Sequence, residues 1–193
     1  TAKSSGESPA SPRPGPLVLV VWQALGFRVD LAASVTRPLS VLRLLLTGGL
    51  AALALFSAQR LARPEGRGLA RTWPIGIVPA GAMALLLWSY LFTPPEARQM
   101  AVVGKTMLTC LTMIPLLSIL PVTAILLTLR QGATTAPRLA SAVAGLAGSG
   151  AAAAIYATHC IEDSPLFYVT WYGLAILGVT AVSAAIGSRL LRW

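Results

Sequence analysis

Five long apolar runs leave this chain almost no soluble surface to build. They extend over Leu39–Leu61, Ile75–Phe92, Thr106–Leu129, Leu139–Thr158 and Leu166–Leu191. Each is close to the roughly 20 residues that a helix needs to cross about 30 Å of hydrocarbon. Within a bilayer a backbone amide finds no water, so only helices and closed β-barrels satisfy it. Barrel strands are short and alternate in polarity, whereas these runs are long and continuous. The 193 residues are 55% hydrophobic and only 11% charged. A soluble domain needs about 25% charged residues. The expected fold is therefore all-α: a polytopic transmembrane helix bundle.

A further apolar run, Pro16–Phe27, makes a helix of only about 18 Å, too short to span alone. The expectation is six helices, the first of them short or truncated. The Ser-, Pro- and Gly-rich residues 1–15 read as a disordered cytoplasmic tail, and residues 16–193 as the bundle.

The net charge of +9 raises the question of nucleic acid. Its placement answers against direct nucleic-acid binding, because the basic residues sit at the ends of apolar runs, where lipid headgroups and membrane orientation account for them. One side collects Lys3, Arg13, Arg60, Arg63, Arg67, Arg71, Arg130, Arg138, Arg189 and Arg192. The other has only Arg28, Arg37, Arg98 and Lys105, together with Asp30, Glu96, Glu162 and Asp163. The basic side is expected to face the cytoplasm, with the C-terminus. Arg43, just inside the Leu39–Leu61 run, is expected to snorkel outward. Trp88, Tyr90, Phe92, Phe167, Tyr168, Trp171 and Tyr172 fall at the outer edge, Trp73 and Trp193 at the inner one.

Two runs carry special residues. Ala140, Ala144 and Gly148 form a ridge of small side chains, which lets another helix backbone approach closely. That helix should lie centrally or pack against a partner. Pro115 and Pro121 each remove a helix hydrogen bond and should bend the Thr106–Leu129 run, and Pro79 is placed to do the same in Ile75–Phe92.

The chain's soft and nucleophilic groups gather at one depth. Cys110 lies near the outer end of its run, and Cys160 lies in the outer loop Thr158–Pro165 beside His159, the only histidine. Three readings stand. The cysteines form a reversible disulfide, which needs a Cα separation of about 4.4–6.8 Å. Or Cys110, Cys160 and His159 hold a soft metal ion, the one cofactor for which the sequence has candidate ligands. Or Cys110 is a small core residue and His159 with Asp163 orders a loop. Asp163 and Ser164 also suit a helix start, with Pro165 at the first helical position. No nucleophile elbow or phosphate loop is present, so no enzyme is expected. A small metal or small-molecule transporter is the alternative, but ionisable groups at mid-membrane, the usual mark of a transport path, are missing from the runs.

The stretch His159-Cys160-Ile161-Glu162-Asp163-Ser164-Pro165-Leu166-Phe167, then Trp171-Tyr172-Gly173-Leu174-Ala175, then Arg189 to Trp193, closely resembles the NrsF family, the negative regulators of sigma F. The segment that begins at Cys110 and the loop that begins at Arg28 resemble it too. The resemblance implies a bacterial inner-membrane anti-sigma factor of six helices. Such a protein holds an extracytoplasmic-function sigma factor on the cytoplasmic side and releases it under oxidant or heavy-metal stress. The family's cysteine pair falls on Cys110 and Cys160, which implies a sensing role for them. The family also has a cytoplasmic segment before a full first helix, where this chain has a Pro/Ser-rich stretch and a short run. If that segment is the sigma-factor contact, the contact is expected instead at the loop of Arg60, Arg63, Arg67 and Arg71 and the other inner loops, or is lost.

Overall fold

The structure, a computed structural model, describes residues 26, 36–62, 73–132 and 134–191. Six α-helices run through it: α1 Pro38–Leu61, α2 Ile77–Phe92, α3 Pro95–Val103, α4 Met107–Arg130, α5 Pro137–Ala157 and α6 Pro165–Leu190. A 3₁₀ turn, Trp73–Gly76, leads into α2. Proline opens α1, α3, α5 and α6. Its fixed φ suits a helix start, and the amide it lacks has no partner there in any case.

Five helical segments are long and apolar enough to cross a membrane. The short run Pro16–Phe27 and the residue 1–15 tail lie, but for Gly26, outside the described residues. The expectation of six spanning helices is therefore met by five among the residues described. α3 was not anticipated: it is short, carries Glu96 and Arg98, and has no buried residue. Pro79 also differs from expectation. It lies in the first turn of α2, where backbone N–H groups have no helical acceptor, so it breaks no bond. Pro115 and Pro121 do lie inside α4.

α5 is the centre. It packs against α6, α1 and α4, and two-thirds of its apolar window is buried. Its small residues explain this. Ala140 and Ala144 are fully buried. A Cβ on Gly148 would lie 2.8 Å from the backbone nitrogen of Val122 in α4, and one on Gly145 would lie 2.9 Å from Cα of Thr180 in α6. The small ridge is thus used within the chain, backbone against backbone. Large apolar side chains face outward on the surrounding helices: Leu45 on α1, Leu87 on α2, Leu120 on α4 and Leu177 on α6 are each about 60% exposed or more. Such a belt fits lipid.

The bundle has two distinct ends. Ala62 meets Gly132, and Ser141 at the start of α5 meets Gly187 near the end of α6. Arg60, Arg130, Arg138 and Arg189 lie exposed at this end. Arg37, α3, Lys105 and the 158–164 loop lie at the other.

Candidate thiol site at one end of the bundle

The second end is built by a clamp. Gly104 closes α3 with a φ of +58°, a backbone conformation that favours glycine. A Cβ there would strike the ring of Phe167, at 2.5 Å. Trp171 Nε1–H donates to the Val102 carbonyl at 2.6 Å. The Lys105 amide donates to Glu162 Oε1 at 2.9 Å. The hinge before α4 is therefore pressed onto the loop before α6.

That clamp sets Thr106 as the N-cap residue of α4. Its Oγ1 lies 4.0 Å from Cys110 Sγ and 3.8 Å from Cys160 Sγ. Cys110 Sγ also lies 3.7 Å from the Tyr156 hydroxyl. Both cysteines are buried, and no disulfide joins them. The two thiols act on each other, and the Glu162 amide acts on the Cys160 sulfur. Residues 50 positions apart in the chain, from different elements, thus meet around one hydroxyl.

Burial alone would push a thiol up, yet the Cys160 thiol is held below its ordinary value. The main cause is the hydrogen bond it accepts from Cys110, followed by the Glu162 backbone donor and the nearby Arg43 charge. A lowered pKa keeps the thiolate present above the folded value and loses it only as pH falls through that value. In the purified chain, Cys160 should therefore react with a small methanethiosulfonate faster than Cys110 near neutral pH. Its rate should hold as pH drops from about 8 to about 6.5, where an ordinary thiol loses about tenfold per unit. Mass-spectrometric mapping of the labelled cysteine reads this directly. An ordinary tenfold decline at Cys160 would contradict the arrangement.

Arg43 is the residue that sequence reasoning misplaced. It does not snorkel: its side chain is 2% exposed. Its guanidinium donates to the carbonyls of Ala157 at 2.9 Å, Cys160 at 3.2 Å and Glu162. It also pairs with Asp163 at 3.4 Å, and Asp163 pairs in turn with Arg37 at 3.4 Å. A charge buried in this way must be matched by partners, because water cannot reach it. The signal in the sequence was an arginine about one turn inside an apolar run, with two acids at the same depth.

The other expected residues are accounted for as follows. Ser164 is the N-cap residue of α6, but its side chain makes no cap bond. Its carbonyl instead accepts the Phe167 and Tyr168 amides, each at 3.1 Å. Asp163 is ion-paired with Arg37 and Arg43. His159 Nδ1 lies 3.0 Å from the Gly26 carbonyl, and its ring sits 5.8 Å from that of Tyr156. Among the described residues, no three His, Cys, Asp or Glu side chains gather as a metal-holding group. The set Cys110, Cys160 and His159 is not among such groups in the described residues. Arg60 lies exposed in the last turn of α1, and Arg63, Arg67 and Arg71 lie outside the described residues.

Comparison with known proteins adds to this geometry. A family profile described as NrsF, negative regulator of sigma F, matches residues 15–193. A probable anti-sigma-F factor NrsF of Azospira oryzae is 32% identical over 178 residues, which cover 91% of this chain and 82% of that protein. The anti-sigma-F factor NrsF of Caulobacter vibrioides is 33% identical over 200 residues, covering 97% and 92%. No solved structure matches this chain.

Proposed function

The chain belongs to the NrsF family, the negative regulators of sigma F, and from that premise we propose that it is a multi-pass inner-membrane anti-sigma factor switched by its two thiols. It holds an extracytoplasmic-function sigma factor at the cytoplasmic end of the bundle and releases it under oxidant or heavy-metal stress. The C-terminus and the arginine-rich end lie in the cytoplasm, as the excess of basic residues favours. Arg60, Arg63, Arg67 and Arg71 form the partner surface there. In this reading the run Pro16–Phe27 supplies a sixth membrane segment ahead of the five described ones, and residues 1–15 precede it as a cytoplasmic tail.

The observation that carries this reading is the meeting of Cys110 and Cys160 around Thr106, at the end opposite Arg60. In this reading the Cys160 thiolate attacks hydrogen peroxide. The O–O bond breaks, water leaves once hydroxide takes up a proton, and a sulfenic acid remains on Cys160. The Cys110 thiol then attacks that sulfur, forms the disulfide and releases a second water. Two thiols lose two electrons and two protons, and the peroxide gains both. Soft metal ions reach the same pair because thiolates select them.

A disulfide contributes about 2–4 kcal/mol, enough to move a two-state equilibrium by roughly 30- to 1,000-fold. Replacing both cysteines by alanine should therefore abolish induction of a sigma-dependent reporter by peroxide, with the protein still present in the membrane fraction. Induction equal to that of the parent would overturn the sensor reading. The transporter alternative gains no support from the centre of the bundle. There Gly148 meets the backbone of Val122, and Gly150 meets that of Ala51, so those interfaces are closed by contact.

A further inference from the structure

Arg43 belongs to α1, yet among the described residues every hydrogen-bonding and ionic partner of its guanidinium lies in residues 157–163, the segment that carries Cys160. Its Nε–H is buried and has no hydrogen-bond partner among the described residues. The charge is thus held by an incomplete set: three carbonyls and one carboxylate. Losing one of these is not made good by water. α1 itself is a rod of about 36 Å, with Arg43 near one end and Arg60 in the last turn of the other. Between them it rests on α5, where a Cβ on Gly150 would lie 3.1 Å from the Ala51 amide and 3.3 Å from the Thr47 carbonyl. Two backbones that touch so closely make a point about which a rod can tilt.

We propose that Arg43 is the latch through which the state of the Cys110–Cys160 pair reaches α1 and the basic end of the bundle. The inference deepens the thiol-sensing reading and rests on it. Forming the S–S bond breaks both S–H bonds, reduces one hydrogen peroxide to two waters and draws Cys160 towards α4. The Cys160 carbonyl, one of the acceptors of Arg43, moves with it. The guanidinium then loses part of its set, and the first turns of α1 loosen. Arg43 touches no reacting atom, so it is a positioning residue.

Hydrogen–deuterium exchange of the full chain in lipid nanodiscs tests this, with α1 peptides compared between reduced and peroxide-oxidised protein. Oxidation should speed exchange in the first turns of α1 by about fivefold or more, with α6 peptides little changed. Arg43→Gln should exchange fast at those turns even when reduced, and oxidation should add less than about twofold. Arg43→Lys keeps the charge but lacks the planar fork, so it should fall between the two. An α1 unmoved by oxidation, in parent protein whose disulfide is confirmed by mass, overturns the latch. So does Arg43→Gln exchanging like the parent in both states. If Arg43→Gln does not accumulate, the lysine variant decides: exchange identical to the parent overturns the proposal, and raised exchange confined to α1 supports it. Failure of the disulfide to form under peroxide instead removes the thiol reading beneath it. No sigma factor enters the assay, so a chain that regulates none would leave this result unaffected.

Discussion

Gly148→Leu is expected to keep the protein from accumulating in the membrane, or to lower its stability by at least about 3 kcal/mol. The reason is the crossing of α5 and α4. A Cβ on Gly148 already falls 2.5 Å from Val122 Cγ2, 2.8 Å from the Val122 nitrogen and 3.1 Å from its Cα. The methyl could rotate away, but the backbone atoms could not without moving α4 as a whole. Helices in a bilayer associate by close packing rather than by escape from water, so lost approach is not recovered by burying the new side chain. Gly178→Ala is the control, because nothing lies within 4 Å of its added Cβ. It should change stability by less than about 0.5 kcal/mol. Membrane abundance and thermal unfolding in nanodiscs measure both. Wild-type behaviour of Gly148→Leu would mean that α4 and α5 are not in contact at Val122.

Phe167→Ala carries the second large effect. The ring is completely buried and fills the space beneath the Gly104 hinge. Truncating a buried phenylalanine costs about 3–5 kcal/mol. Because the hinge positions Thr106 between the two sulfurs, disulfide formation under peroxide should also slow. Gly104→Ala attacks the same contact from the other side: it is strained by the positive φ, and its Cβ strikes the Phe167 ring. The two changes should not add. With the ring gone, the steric part of the alanine penalty vanishes and only the backbone part remains, so the double variant should lose less than the sum by about 1 kcal/mol or more. Thermal unfolding of the four proteins in one lipid settles this, and strict additivity would sink the clamp.

The spanning helices could be read from the chain because a bilayer tolerates so few alternatives; α1, α5 and α6 start one or two residues earlier than expected, each at a proline, and α2 and α4 one or two residues later. The placement of both cysteines at one depth was readable for the same reason: depth follows from position along a run of known rise. What could not be read was direction around the helix axis. α1 is apolar on nearly every face, so nothing in its pattern says whether Arg43 points to lipid, to headgroups or into the bundle. Only the carbonyls of Ala157, Cys160 and Glu162 decide that, and they come from a distant part of the chain. α3 was missed because its charged residues, Glu96 and Arg98, read as loop, and the turn at Gly104 leaves no periodic trace. The clamp it forms on Phe167 and Trp171 was hidden with it.

The burial of Arg43 also orders the protein's own making. When α1 leaves the ribosome, its guanidinium has none of the acceptors that later surround it; the Ala157 and Glu162 carbonyls are 114 and 119 residues further on. At roughly 5–20 residues per second, synthesis needs roughly 6–24 s to reach them. An arginine facing hydrocarbon without partners costs about 2.5–3.5 kcal/mol at mid-bilayer, and its long stem lets it reach the headgroups instead. A nascent α1 therefore rides shallow, with Arg43 at the membrane surface. Its final partners can be met only after the 157–163 loop has emerged, so α1 cannot settle before the chain has been made almost to α6.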